Sequence, residues 1–410
     1  MKKNIFLTIV IINLLFQSCS FHPYKIQGFS YPEPIDTRNK EISLPKKKIY
    51  DLKGIFIDTR FDAARANNVG KINDTTVFIE ILPENYPINN SPWYAFKVWS
   101  DTIKQVSFIL RYKHGNHRYN PKISKDGKIW TELAADFVKK DTINNTAKFR
   151  VEIDTLPVWI AAQPIINTTA VKKWIESLSR YKRVYDIFPI GKSVLKREIP
   201  HFKIGNNEFD KKKKVILLFS RQHPPEVTGF FAMQFFIDEL LKKDELSEQF
   251  FKNFEFWVFP LINPDGVDLG NWRHNANGID LNRDWAYFNQ PETRSVRDFI
   301  IKQANKNKQK IVLGLDFHST FKDIFYINNH SQYPITKGFV NNWTLSINRL
   351  LSPFESTRII EPFKKPVSKA WFYYQFGASG VTYEVGDQTP ISIIEKKARA
   401  AAVLLMDLLL

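Results

Sequence analysis

Cysteine is almost absent from this chain, which has a single one, Cys19, among 410 residues. Because no second thiol is available, a disulfide within the chain is excluded. The chain also lacks internal repeats and low-complexity segments. Its one long apolar run precedes Cys19, so we expect no transmembrane segment in the rest of the chain.

Acidic residues are in the minority, with 42 Asp+Glu against 59 Lys+Arg and a formal net charge of +17. Part of the excess lies in lysine runs such as Lys46–Lys48 and Lys211–Lys214. No helix-turn-helix, zinc-finger or aromatic RNA-binding pattern accompanies them, so we expect no nucleic-acid partner. Solvated loops are the simplest interpretation of the runs, and an anionic surface such as a membrane or cell-wall polymer stays open.

The N-terminal residues have the composition of an export signal. Two lysines precede an apolar run, and Cys19 follows where processing would occur. This pattern resembles a bacterial lipoprotein signal, which implies that residues 1–19 are a signal peptide and that Cys19 carries a lipid anchor to a membrane. Phe16 and Gln17 depart from the small residues usual before such a cysteine, so a simple secretory signal with an incidental thiol is the alternative. The lipoprotein interpretation places the chain in a bacterial cell envelope, in the periplasm or on the cell surface.

Composition and periodicity divide the remainder into a tether and two domains. The chain is long enough for two cores, and 43% of its residues are hydrophobic, including 34 phenylalanines. Residues 20–50 combine prolines and charges with little periodicity and are predicted to be a tether that holds the body off a membrane. Residues 51–165 alternate short apolar runs with turn-rich pieces, as an antiparallel β-sandwich does.

The last segment, residues 166–410, alternates helical and strand patterns. VKKWIESLSRY and GFFAMQFFIDELL have helical spacing, whereas KKVILLFS, FEFWVFPLI, IVLGLDFHS and GVTYEV are typical of buried strands. This alternation predicts an α/β domain.

A histidine and a glutamate stand close together in SRQHPPE, directly after the strand VILLFS. In open α/β sheets, ligands bind at the carboxyl ends of the strands. Two histidines and a glutamate are one established set of catalytic zinc ligands, so His223 and Glu226 are candidates. Taken alone, the motif is explained equally well by a polar surface loop.

His318 is the third candidate ligand, because it ends the strongly apolar strand IVLGLDFHS. We expect that strand end to lie at the same sheet edge as the one that presents His223. In isolation His318 would be an ordinary histidine at a strand end. With only 8 histidines in the chain, two at such positions indicate a shared zinc site.

The stretch between these candidates, PLINPDGVDLGNWRHNANGIDLNRDW, is polar and rich in turn residues, as loops that build a site often are. NPDG, WR and NGIDLNRDW, flanked by HPPE before and DFHS after, resemble the zinc metallocarboxypeptidases in content and order. The likeness is strongest to the subgroup that includes the cytosolic carboxypeptidases, which carry a β-sandwich ahead of the catalytic domain. FDAARANNV, SPWYAFKVW and SKDGKIW also fall in the expected order.

The resemblance implies a role for each of several residues. His223, Glu226 and His318 correspond to the ligands of one zinc ion per chain. Asp280 corresponds to a carboxylate that orients the first histidine. Arg273 corresponds to the arginine that faces the oxyanion.

The same resemblance implies a substrate-binding pair and a catalytic glutamate. Asn282 and Arg283 correspond to the residues that hold the terminal carboxylate of a peptide, a task for which the planar guanidinium suits Arg283. Glu384, in GVTYEVGD, would accept a proton from the zinc-activated water and pass it to the leaving amine. The ordinary alternatives are a buried structural pair of Arg283 with Asp280 and a surface charge at Glu384.

One part of the family pattern is missing. The tyrosine that related enzymes supply from a mobile loop would fall near Pro362, and the nearest tyrosines are Tyr373 and Tyr374, so none is assigned. Lys369, in VSKAWFYYQFG, either lines the cleft or is a solvated loop lysine. Ser319 follows a strand but lacks the context of a nucleophile elbow.

Together these features predict a zinc metallocarboxypeptidase that hydrolyses the C-terminal peptide bond of peptides or proteins. The implied fold class is α/β, with an N-terminal antiparallel β-sandwich followed by an α/β/α domain that has a mixed central sheet. One alternative is a zinc-dependent deacylase or amidase that acts on N-acyl amino acids or cell-wall peptides. A non-catalytic binding protein is a second, against which Glu384 and Arg273 argue. The preferred side chain and the oligomeric state are not indicated.

Overall fold

The computed structural model describes residues 21–206, 213–328 and 338–410. The predicted signal peptide and Cys19 lie outside the described residues. Among the helices in the described ranges, none combines the length and apolar character that crossing a membrane requires.

Two β-sheets form from residues 49–161 and share one core. Their strands are β1 (Ile49–Asp51), β2 (Ile55–Asp58), β3 (Asn68–Asn73), β4 (Thr76–Ile81), β5 (Ala95–Ser100), β6 (Lys104–Tyr112), β7 (Lys122–Ser124), β8 (Thr131–Glu132), β9 (Lys139–Asp141), β10 (Thr146–Ile153) and β11 (Val158–Ala161), with a 3-10 helix at Ala135–Phe137. The strand orders are β1-β2-β5-β11-β7-β8 and β3-β4-β6-β10-β9. Pairing is antiparallel except between β4 and β6. The alternating burial of β4 and β10 matches the period of a half-buried strand.

The rest of the described chain is built on a single sheet. Its strands are β12 (Val184–Lys192), β13 (Glu198–Ile204), β14 (Lys214–Ser220), β15 (Phe254–Phe259), β16 (Ile311–Thr320), β17 (Ile324–Ile327), β18 (Thr357–Ile360) and β19 (Ser379–Gly386), in the order β12-β13-β15-β14-β16-β19-β17-β18. The central strands β15, β14, β16 and β19 are parallel, whereas β13 and β17 run antiparallel to their inner neighbours. The predicted mixed sheet is confirmed.

Helices cover both faces of this sheet. They are α1 (Thr168–Leu178), α2 (Val227–Leu240), α3 (Glu245–Asn253), α4 (Pro264–Leu269), α5 (Pro291–Asn307), α6 (Phe339–Leu350), α7 (Ser368–Phe376) and α8 (Ile391–Leu409), with a 3-10 helix at Leu281–Arg283. One apolar cluster includes residues of α2, α6 and α8, and a second includes residues of α5 and α7. Capping supports several helix starts: Asp244 forms a capping box with Ser247 at α3, and Asn263 accepts a hydrogen bond from the Gly266 N–H at α4.

The end of α4 lies against the sandwich. Gly270 ends the helix with φ +68°, and a Cβ there would lie 2.7 Å from the Ala63 carbonyl oxygen, so glycine is required by both conformation and space. Nearby, the Ala63 N–H donates to the Asp268 carbonyl at 2.8 Å. The loop that follows α4 is therefore built in contact with the sandwich.

Residues 21–48, which we call the strap, differ from the predicted free tether. They contain no helix or strand, yet they run along the α/β domain, with Tyr31 and Thr37 buried. The physical reason is aromatic: the Tyr24 ring contacts Phe376 and the Tyr31 ring contacts Tyr374. Burying aromatic side chains of this size removes enough apolar surface from water to hold an extended chain against the α/β domain.

Candidate metal centre and cleft

Three strands bring the candidate residues to one edge of the mixed sheet. His223 and Glu226 lie in the loop between β14 and α2, His318 lies on β16, and Glu384 lies on β19 directly opposite His318. Because β14, β16 and β19 are parallel, their carboxyl ends meet at the same edge. Residues as far apart in sequence as His223 and Glu384 thereby share one site.

A glycine allows α2 to approach β16 closely. A Cβ at Gly229 would lie 2.3 Å from the His318 carbonyl oxygen, so any larger residue would push the helix away. The Gly229 N–H also donates to Ser319 Oγ at 2.8 Å. Since α2 begins directly after Glu226, this contact keeps Glu226 beside His318.

The candidate ligand atoms converge on one point. Glu226 Oε1 lies 2.8 Å from His223 Nδ1, and Glu226 Oε2 lies 2.6 Å from His318 Nδ1. All three ligand atoms fall within 4.8 Å of one another, and no other group of this kind occurs in the described part of the chain. Tetrahedral zinc with bonds of about 2.1 Å places its ligand atoms about 3.4 Å apart. The three side chains therefore fit a zinc ion with small adjustments.

Each histidine is held by a carboxylate on the far side of its ring. His223 Nε2 lies 2.9 Å from Asp280 Oδ1, and His318 Nε2 lies 2.8 Å from Asp316 Oδ2. With Nε2–H donated to its carboxylate, each ring would offer the Nδ1 lone pair to a metal ion at the centre. Asp280 thus has the contact predicted for it, and Asp316 duplicates it on the second histidine.

Opposite charges stabilise each other inside this buried site. Burial raises the pKa of Glu226, but His223 and His318 lower it by a larger amount. The pKa of Glu226 therefore lies below its usual range. Burial lowers the pKa of His318, yet Asp316 and Glu226 outweigh burial and raise it well above the usual value. A site in which carboxylates favour a positive partner this strongly is also one that favours a dication.

Glu384 is in a different electrostatic environment. Burial raises its pKa to about 8, Glu226 and Asp316 raise it too, and His318 and Arg273 oppose the shift. Its Oε2 atom is buried and has no hydrogen-bond partner among the described residues. A carboxylate of raised pKa with a free oxygen is suited to accept and return a proton. A bound dication would bring the pKa of Glu384 back down.

Two arginines and an asparagine surround Asp280. Arg273 Nε donates to Asp280 Oδ2 at 2.7 Å, and Arg283 Nη1 lies 3.9 Å from the same oxygen. The backbone N–H of Asn282 donates to Asp280 Oδ1 at 2.8 Å, and Asn282 Oδ1 accepts from the Ser368 N–H at 2.9 Å. Both guanidinium groups are therefore positioned by the protein before any ligand is bound.

One cleft of about 590 Å³ is lined by the three candidate ligands, Glu384, both arginines and Asn282. Asp280 and Asp316 are not among its lining residues. Its other walls include Glu33 of the strap and Arg118 of the sandwich, neither of which the sequence connects with the site, and the loop Glu361–Val367, in which Pro362 marks the position near which the family tyrosine would fall. No local pattern marks Glu33 or Arg118. Asp316 was detectable, because it precedes His318 by two positions and so shares its face of β16.

Lys369 lies at the cleft, which decides between the two interpretations left open by the sequence. The side chain is buried, its Nζ atom lies 3.1 Å from Glu361 Oε2, and burial lowers its pKa while Glu361 raises it. Pro362 also lines the cleft, whereas Tyr373 and Tyr374 are not among the lining residues. Pro362 therefore lies at the cleft, whereas neither of the two tyrosines nearest to it in sequence does.

Known proteins with similar sequences are carboxypeptidases. The family model described as zinc carboxypeptidase matches residues 171–400. Cytosolic carboxypeptidase 6 of Mus musculus is 32% identical over 301 residues, which cover 66% of this chain and 55% of that protein. Cytosolic carboxypeptidase 3 of Bos taurus is 32% identical over 306 residues, which cover 66% of this chain and 30% of that protein. The chain thus spans about half the length of these curated relatives or less.

Solved structures extend the likeness beyond the region that the family model matches. The metallo-carboxypeptidase from Burkholderia cenocepacia superposes with a TM-score of 0.69 at 18% identity and covers 86% of this chain and 98% of its own. The metallo-carboxypeptidase from Pseudomonas aeruginosa, solved with (2-guanidinoethylmercapto)succinic acid, gives a TM-score of 0.66 at 17% identity, with 86% and 98% covered. At these identities the comparison establishes the fold.

Proposed function

The chain belongs to the zinc carboxypeptidase family, and from this premise we propose that it hydrolyses the C-terminal peptide bond of peptides or proteins. The observation that carries the proposal is the meeting of the His223, Glu226 and His318 cluster with Glu384 and Arg273 at one cleft. Deacylation of N-acyl amino acids is less well supported, because the family and structural matches are to carboxypeptidases.

The proposed chemistry assigns a task to each side of the cleft. His223, Glu226 and His318 would hold a zinc ion, which when bound would supply a Lewis acid for the scissile carbonyl and would lower the pKa of a water molecule. Glu384 accepts the proton of the attacking water and delivers it to the leaving amine. Arg273, fixed by Asp280, presents a permanent positive charge to the oxyanion without reorganisation.

Recognition of a free C-terminus rests on the other arginine. Arg283 offers a planar pair of donors that can bond both oxygens of a terminal carboxylate. Asn282, oriented by the Ser368 N–H, stands beside it. A peptide with an amidated terminus lacks the charge that Arg283 would bind, and we expect it to be a poor substrate.

The side chain that the cleft accepts is proposed from Lys369. This buried ammonium group has Glu361 as its carboxylate partner, and the Glu361 side chain is 47% exposed. An acidic C-terminal side chain of a substrate can replace Glu361 on Lys369 and satisfy the buried charge. We therefore propose a preference for acidic C-terminal residues.

The proposed activity is tested with a peptide library. The zinc-loaded chain beginning after Cys19 is incubated with peptides that carry free or amidated C-termini, and the products are identified by mass. Loss of single residues from free-acid peptides, absent in the Glu384→Gln variant, would support the proposal. No trimming by the wild-type protein would refute it, and N-acyl amino acids would then be the next substrates.

The proposed preference is tested with Lys369→Met and the control Lys364→Met, which removes an exposed lysine at the cleft rim. A hydrogen bond to a charged group contributes about 1.5–3 kcal/mol. We expect Lys369→Met to lower kcat/KM for acidic C-terminal residues about 10- to 100-fold and to affect neutral ones little. An equal loss for both classes would contradict the preference.

For the cellular setting we propose an exported lipoprotein of a bacterial envelope, anchored through Cys19. Support comes from the sequence of residues 1–19. Fractionation of cells that express the full chain tests the proposal: the wild-type protein should follow the membranes and Cys19→Ser should not. Recovery of both proteins in the same fraction would contradict it.

A further inference from the structure

The loop that carries Arg273 has little regular structure of its own. Between the end of α4 and the 3-10 helix at Leu281, residues 270–280 form only turns and bends. An arginine that must face a forming oxyanion has to be placed within a fraction of an ångström. The question is therefore which groups fix the backbone of this loop.

A single carboxylate of the sandwich binds the loop at the position of Arg273. Glu84, in the loop after β4, is fully buried. Its Oε2 atom accepts a hydrogen bond from the Trp272 N–H at 2.8 Å, and its Oε1 atom accepts from the Arg273 N–H at 3.0 Å and the His274 N–H at 2.6 Å. Three successive backbone donors thus converge on one side chain, as they do around a bound anion.

Other sandwich residues support the same loop on either side. Arg65 Nη1 donates to the Gly270 carbonyl at 3.1 Å. Asn85 Nδ2 donates to the Gly278 carbonyl at 2.9 Å, and Asn85 Oδ1 lies 2.6 Å from His274 Nδ1. Within this group, Glu84 is the residue that binds the backbone of Arg273.

We propose that Glu84 is a positioning residue for Arg273, so that the N-terminal sandwich is a working part of the catalytic centre. The Glu84 carboxylate fixes the Arg273 backbone, and Asp280 fixes its side chain through Nε. The two carboxylates hold the arginine from both ends and leave its remaining donors to the cleft. This inference rests on the proposed function, because it assigns Arg273 to the oxyanion.

A double-mutant cycle on the zinc-loaded chain tests the inference. Glu84→Gln keeps the shape of the side chain but replaces one acceptor oxygen with a donor, which conflicts with the backbone N–H groups. We expect it to lower kcat about 10- to 100-fold with little change in zinc content or KM. In an Arg273→Lys background the same substitution should cost less than about twofold, because its effect passes through Arg273.

The control is Glu80→Gln, which removes a partly exposed carboxylate of β4 that pairs with Lys113. We expect it to leave kcat unchanged in both backgrounds. An equal loss of kcat from Glu84→Gln with and without Arg273 would overturn the inference, because a general loss of stability acts on both. If Glu84→Gln does not fold, Glu84→Asp takes its place: it keeps the charge but shortens the reach to the three N–H groups.

Hydrogen exchange gives a second measurement that needs no turnover. In the wild-type protein the amides of Trp272, Arg273 and His274 should be protected, and in Glu84→Gln they should exchange at least tenfold faster, while exchange in α5 stays unchanged. Equal protection in both proteins would overturn the inference. A wild-type protein that shows this protection but trims no peptide would instead refute the proposed function.

Discussion

One carboxylate oxygen of Asp316 accepts hydrogen bonds from three donors. Its Oδ2 atom accepts hydrogen bonds from His318 Nε2 and from Gln222 Nε2 at 2.6 Å, and also from the hydroxyl of Ser368. The carboxylate therefore sets both the ring orientation and the tautomer of a candidate zinc ligand. The sequence DFHS already places Asp316 on the face of His318, because positions i and i+2 of a strand share a face.

Replacement of Asp316 tests this role at the level of a single side chain. Asp316→Asn can keep an oxygen toward the donors but loses the charge, and Asp316→Ala loses both. Removing such a partner weakens metal binding about 10- to 100-fold, so we expect zinc affinity to fall in the order wild type, Asn, Ala. Competition with a chromophoric chelator measures it. Asp298→Asn, at an exposed position of α5, is the control, and an unchanged affinity for Asp316→Ala would contradict the role.

Glu292 gives a prediction about stability and pH away from the metal centre. It lies in the first turn of α5 with no exposed surface, and it accepts hydrogen bonds from the Val194 N–H and from Asn275 Nδ2, both at 3.2 Å. Burial raises its pKa to about 7. Above that pH the fold therefore contains a buried carboxylate that the unfolded chain would hydrate.

The sign of the pH dependence follows from the two pKa values. Since the folded pKa of about 7 exceeds the ordinary value of 4.5, the folded state keeps a proton that the unfolded state loses between those values. The free energy of unfolding should then fall by about 3 kcal/mol as the pH rises through this window. Glu292→Gln should lose that slope, and urea unfolding from pH 4.5 to 8 measures it. Glu245→Gln, an exposed acid in the first turn of α3, should keep it; equal slopes in all three proteins would contradict the assignment.

At the scale of elements, the strands and helices with strong apolar patterns were predictable from sequence. β14 and β15 are buried along nearly their whole length, and such runs are covered on both faces in any α/β sheet. β12 escaped detection because most of its side chains are at least partly exposed and its register with β13 shifts twice. Strands of this kind owe their conformation to pairing with a neighbour, which a single sequence does not display.

The strap is the element whose behaviour the sequence described least well, since its prolines and charges indicated a free tether. Tyr31 packs with Phe363 of the loop Glu361–Val367, and the Glu33 N–H donates to the Lys364 carbonyl in the same loop at 3.1 Å. That loop is a wall of the cleft. An extended N-terminal segment thus supports one wall of the cleft.

We expect Tyr31→Ala to raise KM about tenfold and to leave kcat and zinc content nearly unchanged, because it loosens a substrate-binding wall without touching the reacting groups. Tyr24→Ala is the matched control: it removes an aromatic ring of the same strap that is docked on Phe376 instead. Steady-state kinetics on one preferred peptide distinguish the two. A KM that rises equally in both variants would mean that the strap contributes only to stability.

At the scale of the whole molecule, the strap fixes how the body would sit on a membrane. Tyr24 OH accepts a hydrogen bond from the Ile311 N–H, which is the first residue of β16. Cys19 precedes Tyr24 by five residues, and a chain of that length reaches about 17 Å at most. The candidate metal centre includes His318, which lies seven residues after Ile311 on β16 and therefore about 23 Å away along the strand. A lipid on Cys19 would hold the amino edge of the sheet at the membrane and turn the cleft away from it.

The charge of that edge makes the orientation testable without a lipid anchor. Lys302, Lys306, Lys308 and Lys310 are exposed around the start of β16, and none of them forms an ion pair within the ranges that the structure describes. Each lysine near an anionic membrane contributes about 1 kcal/mol. The chain beginning after Cys19 should therefore bind vesicles that contain anionic lipid, and replacing all four lysines by alanine should weaken binding at least tenfold. The matched control replaces four exposed sandwich lysines, Lys125, Lys128, Lys139 and Lys140. Equal binding by the two quadruple variants would show that attraction follows net charge alone, and the proposed orientation would then depend on Cys19 only.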